Sequence, residues 1–224
     1  MNKKRILIIS LIIIFTIGLV WIIKNKNGTK DNSSSNKGYI VNLGDNIYIE
    51  RIYGYTGDFV EDGSDKEVSD VWTLKVTNKS KQDIQFLRIK ATLDNNQGIF
   101  DITTLQSNTS VVVMESNASS LPNNGEEYKY SVENLAYFNS SLSLHLDDFK
   151  ISTKDNWIQL ENISEQDITN DIYVYYKNVE DDIYHGGITY RVKFSGGIKA
   201  GEVKQIQSKH YSSKNSEILN LTYW

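Results

Sequence analysis

Few residues in this chain could carry catalysis. It has three histidines and no cysteine in 224 residues. Thiol catalysis, disulfides and cysteine-ligated zinc are therefore excluded. His145, His185 and His210 lie far apart, and no HExxH or other metal-ligand spacing links them. The densest reactive stretch is VEDDIYHGGITY at 179–190, where Asp181, Asp182 and His185 fall between two apolar runs. Two carboxylates and an imidazole at a hairpin tip could hold a cation or polarise a water. Without a ligand the same stretch is a solvated turn. His145 stands beside Asp147 and Asp148, and strand alternation would put His145 and Asp147 on one face. DGSDKE at 62–67 lacks the DxDxDG spacing of a calcium loop, and Lys66 intrudes. SSNK at 34–37 has Ser-x-x-Lys spacing but no KTG partner, and no Gly-x-Ser-x-Gly elbow occurs. The expectation is no catalytic residue, no metal site and no cofactor. A metal-dependent binder or hydrolase using Asp181, Asp182 and His185 is the alternative.

Aromatic residues make a stronger case. Tyr173, Tyr175, Tyr176, Tyr184, Tyr190 and Tyr211 lie within forty residues. In IYVYY at 172–176, Ile172, Val174 and Tyr176 share one face of a strand, and Tyr173 and Tyr175 share the other. If the first face is core, two tyrosines stand outward near Tyr184 and His185. Outward tyrosines offer rigid amphipathic area to a glycan or peptide, although they are also good strand formers. Tyr173, Tyr175, Asp181, Asp182, Tyr184, His185 and Tyr190 are therefore the candidate partner-binding residues.

The elements that must position them are strands. From residue 39 the apolar residues recur with period two: 39–43, 47–53, 71–77, 84–93, 99–105, 111–114, 128–138 and 142–146. At 71–77, Trp72, Leu74 and Val76 face one way, and Val71, Thr73, Lys75 and Thr77 the other. A phase slip near Phe86 and Leu87 suggests a bulge. Residues 57–70 read as an acidic loop, and only 132–138 has a weak helical moment. Short strands, frequent turns and a single proline predict antiparallel sandwiches.

The chain also repeats itself. NKSKQDI at 78–84 recurs as NISEQDI at 162–168, an offset of 84. Each copy follows a strand carrying a tryptophan, Trp72 or Trp157, although the two fall out of phase. Later segments match in order, with 105–110 against 198–203 and 142–146 against 218–222. The second copy holds about nine extra residues, which fall in the 179–190 hairpin. Insertions in sandwich loops often carry recognition. The expected domains are 39–150 and 151–224.

Ahead of them lies a different polymer. Residues 1–5 are basic, and residues 6–23 hold no charge. Eighteen helical residues span roughly 27 Å, near the roughly 30 Å of a bilayer core. No A-x-A pattern marks a cleavage site, and a lipid anchor would need a cysteine. The reading is one uncleaved transmembrane helix with a cytoplasmic N-terminus and an extracellular C-terminal part. Residues 24–38 are almost wholly polar, which predicts a disordered stalk. From Lys24 onward 21 Lys and Arg face 28 Asp and Glu, a net charge of −7. That argues against nucleic-acid binding. A membrane-protein or cell-wall partner suits the location better.

VTNKS at 76–80 followed by IKATLD at 89–94, and LENIS at 160–164 followed by IYVYYK at 172–177, share a strand, an Asn turn and a second strand. This order resembles the Ig-like, FxLYD-type extracytoplasmic domains of Gram-positive membrane-anchored proteins. The Phe-x-Leu-Tyr-Asp string itself is absent from both copies. A cysteine-free chain rich in Ile, Asn, Lys and Tyr is similar in composition to that surface proteome. The resemblance implies a mainly β protein, with an N-terminal transmembrane helix and two tandem Ig-like antiparallel β-sandwiches. It carries over no functional residue.

Overall fold

Period-two alternation becomes thirteen strands in a computed structural model that describes residues 41–224. The expected basic tail, membrane helix and stalk, at 1–5, 6–23 and 24–38, lie outside the described residues. In order the strands are β1 (Val41–Gly44), β2 (Ile47–Phe59), β3 (Lys66–Asn78), β4 (Ile84–Leu93), β5 (Asn96–Leu105), β6 (Thr109–Met114) and β7 (Lys129–Tyr137). They continue as β8 (Phe149–Lys154), β9 (Trp157–Asn162), β10 (Ile172–Glu180), β11 (Ile183–Phe194), β12 (Val203–Gln207) and β13 (Ser216–Tyr223). The protein is mainly β. Among the described residues the one helical element is a 3₁₀ turn at Gly125–Glu127. None of their helices is long and apolar enough to cross a membrane.

The strands form three sheets. A seven-stranded sheet runs β1-β2-β3-β6-β11-β10-β13, and two three-stranded sheets run β5-β4-β7 and β12-β9-β8. One core lies between the first half of the large sheet and β5-β4-β7. It gathers Ile49, Trp72, Leu74, Leu87, Phe100 and Val113. A second core lies between β11-β10-β13 and β12-β9-β8, around Phe149, Ile158, Leu160, Val174, Tyr176 and Leu221. Every strand pairing is antiparallel except that of β6 with β11, where Tyr184 and His185 lie opposite Val111 and Val112 in parallel. That pairing makes one sheet out of two halves.

The repeated sequence makes the same turn twice. Asn78 Nδ2 donates to the carbonyls of Gln82 and Leu105 at 2.9 and 3.1 Å, and Oδ1 accepts the Ser80 N–H and hydroxyl at 3.0 and 2.7 Å. Asn162 Nδ2 donates to Gln166 and Ile198 at 2.8 and 2.9 Å, and Oδ1 accepts the Ser164 N–H and hydroxyl at 3.0 and 2.7 Å. Asp83 accepts the Ser107 N–H, and Asp167 accepts the Ala200 N–H, at 2.8 and 2.9 Å. Both asparagines are fully buried. Each amide ties a strand end to backbone 27 or 36 residues further along the chain, so the motif sets tertiary register as well as a local turn. Strand order repeats too, since β2-β3-β6 corresponds to β8-β9-β12 and β5-β4-β7 to β11-β10-β13.

Three local expectations change. Residues 57–70 are mostly hairpin arms, with Gly57, Asp58 and Phe59 paired to Val68, Glu67 and Lys66. Phe59 and Val60 pack there with Val71 and Met114, and so cover the second face of β3. Residues 128–138 fall largely in β7, as their alternation predicts, and pairing to β4 overrides the weak helical moment at 132–138. Residues 142–146 form no strand. His145 sits in the left-handed region (φ 49°), and its nearest acid is Asp148, at 4.0 Å, where alternation had put Asp147. The tryptophans diverge as their phase foretold: Trp72 is buried against Tyr128 and Phe100, while Trp157 is 37% exposed. The expected slip near Phe86 is present, as a register shift between Ile84 and Phe86.

Asn78→Ala and Asn162→Ala should each lower the unfolding free energy by about 2 kcal/mol or more, because each strands buried carbonyls. Urea titration checks this. Equal losses at the two sites would match equal roles, and a loss at one site alone would show that the motif is structural in only one copy.

Candidate functional site

The nine extra residues lengthen the β10–β11 hairpin, and the hairpin does not stand free. Asp181 and Asp182 form its two-residue tip, both in the left-handed region (φ 49° and 61°), as the twist of a tight hairpin requires. Both are exposed. Behind the tip Tyr184 is 4% exposed and belongs to the first core. Its hydroxyl donates to Gln106 Oε1 at 2.5 Å, and burial raises its pKa. Tyr184 was expected as a surface contact, but its burial puts it out of a partner's reach. His185 is half-buried with its ring 5.4 Å from that of Tyr55, and burial lowers its pKa.

Between tip and base the ladder opens. Tyr176 pairs with Tyr190 and Asn178 with His185, so Lys177 alone faces the four residues 186–189. Lys177 is fully buried, and its Nζ donates to the carbonyls of Gly186, Gly187 and Ile188 at 3.1, 2.8 and 2.7 Å. Glu61 grips the bulge from the first half. Its carboxylate accepts the Gly187 N–H at 2.9 and 3.0 Å and the Met114 N–H at 2.8 Å. Thr189 Oγ1 donates to the Thr103 carbonyl at 2.7 Å on β5. A Cβ on Gly187 would collide with the Asp101 carbonyl, so only glycine fits there. Burial pushes the Lys177 ammonium down to about 7, and the nearby Glu61 charge opposes that. Burial raises the Glu61 carboxyl, against its backbone donors and Lys177.

Tyr190 sits in a stack between Tyr176 (5.5 Å) and His210 (4.6 Å), and His210 Nδ1 is 3.3 Å from Asp65 Oδ2. His185 and His210 thus line one cleft of about 380 Å³, along with Glu180 and Lys209. Asp181 and Asp182 are not among its lining residues. No group of three His, Cys, Asp or Glu among the described residues could hold a metal ion.

Tyr173 and Tyr175 do face away from the second core. Tyr173 lies under Arg191 and Lys193, at 5.3 and 5.7 Å from its ring centre, and Lys193 is paired to Asp171 at 2.6 Å. Tyr175 lines a groove of about 440 Å³ with Phe138, Trp224, Gln85, Asn220 and Thr222. Thr103 and Thr189 also line it, so its walls come from both halves. Trp224 is 86% exposed. Sequence reasoning reached Tyr175 but not its neighbours, which are spread from residue 85 to 224. It also missed Glu61 and Lys177. Lys177 lies beside register shifts in both pairings of β10 and is fully buried, with no local spacing that marks it.

No family model matches this chain, and no curated protein matches it significantly.

Tyr184→Ala should cost about 3–5 kcal/mol as a core truncation, while Tyr173→Ala should cost about 1 kcal/mol or less. Thermal unfolding separates the two; a silent Tyr184→Ala would mean that the hairpin is undocked in solution.

Proposed function

We propose that this chain is a single-pass membrane-anchored protein. It displays two tandem Ig-like β-sandwich modules outside the cell as a non-catalytic interaction surface. The anchor and its orientation rest on the uncharged run at 6–23, the basic residues before it and the polar chain after it. The tandem reading draws support from the duplicated asparagine turn and the matching strand orders. The observation that carries the interaction reading is the groove of Phe138, Tyr175 and Trp224, an open aromatic surface at the junction of the two modules. Exposed aromatic clusters of this kind mark recognition sites. The partner is a neighbouring membrane protein or a wall polymer, within reach of a short stalk.

The test uses the native host. A photo-crosslinking amino acid at Trp224 or Tyr175 should capture a cell-surface partner, and one at Trp157, on the outer face of the other sheet, should not. External protease should remove the modules from intact cells. Capture from Trp157 alone would move the surface elsewhere, and protection from protease would end the extracellular reading.

A further inference from the structure

The lining of the groove contains no Asp, Glu, Lys or Arg, in a chain where these make up 23% of residues. An ionic ligand entering it would lose hydration and meet no counter-charge. The rings of Phe138, Tyr175 and Trp224 offer apolar faces, and the amides of Gln85 and Asn220 lie among them with both donors and acceptors.

Two occupants suit aromatic faces edged with amides: a peptide strand and a sugar chain. A peptide would add to a sheet edge, and several edge groups here are already engaged. On β5 the Thr103 carbonyl accepts the Thr189 hydroxyl, and the Ile99 carbonyl accepts the Ser116 N–H and hydroxyl. On β13 the Leu221 N–H donates to the Ser143 carbonyl. Strand addition would therefore have to displace these contacts. A neutral sugar chain needs none. Its rings present C–H faces to aromatics and hydroxyls to amides, and the groove's volume falls in the range of small-ligand sites.

We propose that the groove bounded by Phe138, Tyr175, Trp224 and Thr222 binds a neutral oligosaccharide. The inference rests on the reading of this groove as a binding surface and names its ligand class. Full-length protein in detergent micelles, titrated calorimetrically with cellohexaose, chitohexaose and maltohexaose, should bind at least one of them. Trp224→Ala and Tyr175→Ala should each weaken that binding roughly 3- to 10-fold, the loss of one aromatic contact. Trp157→Ala should leave it unchanged. Absence of heat with all three hexamers at millimolar concentration overturns the proposal, as does tighter binding of a polyuronate hexamer. Binding lost in Trp157→Ala and kept in Trp224→Ala overturns it as well. Capture of a surface protein from Trp224 together with no sugar binding would sink the ligand class alone. Absence of both would sink the surface reading too.

Discussion

The structure turns on a four-residue bulge held from two sides. Residues 186–189 leave the ladder of their own hairpin, so three successive carbonyls lose strand partners. Lys177 replaces those partners with three N–H donors, which an ammonium can supply at once and a neutral amine cannot. Burying that charge is costly unless it is matched. Glu61 brings the opposite charge and also holds the Gly187 N–H, so the same carboxylate balances the lysine and fixes the bulge in place. Gly187 lets the backbone come this close to β5, where any side chain would strike the Asp101 carbonyl.

Joining follows from that bulge. The matching hairpin of the first half, β4–β5, is shorter, and its tip at Asp94 and Asn95 ends in solvent. The β10–β11 hairpin carries its tip across to β6 and sets Tyr184 into the other core. Leu219 of β13 enters that core as well. A second contact lies nearby, where Lys209 Nζ donates to the Gly63 carbonyl and His210 meets Asp65. Modules joined only by a linker move relative to one another by default. Here the two halves share a sheet and part of a core, and the groove of Phe138, Tyr175 and Trp224 lies where they meet.

Local periodicity made most strands legible, and the repeat made two equivalent turns legible, but its match of 142–146 with 218–222 failed, since 142–146 form no strand and β13 takes the place that β7 holds in the first half. NKSKQDI and NISEQDI pointed to equivalent turns because the buried asparagine, the serine two residues on and the aspartate at the end each have a bonding role. The site was less legible, for two reasons. Tyr184 was expected at the surface because it lies in a hairpin, but the hairpin docks and Tyr184 enters the other half's core, while Lys177 sits in a bulge that no local pattern announces. The groove, for its part, is assembled from residues up to about 140 positions apart, and no local spacing records that. His145 failed for a simpler reason: one left-handed residue ended the alternation on which its pairing with Asp147 depended.

The duplicated halves differ most where the extra residues lie, and those residues are the polar, titratable ones that looked most like chemistry. Most of them are used up by the join. Tyr184 fills a core, Tyr190 is stacked between Tyr176 and His210, and His185 leans on Tyr55. Lys177 and Glu61 neutralise each other around a backbone bulge. A side chain cannot both seal an interface and stay open to a ligand. The residues that the join leaves open beside it are aromatic or uncharged polar ones, Phe138, Tyr175 and Trp224 among them.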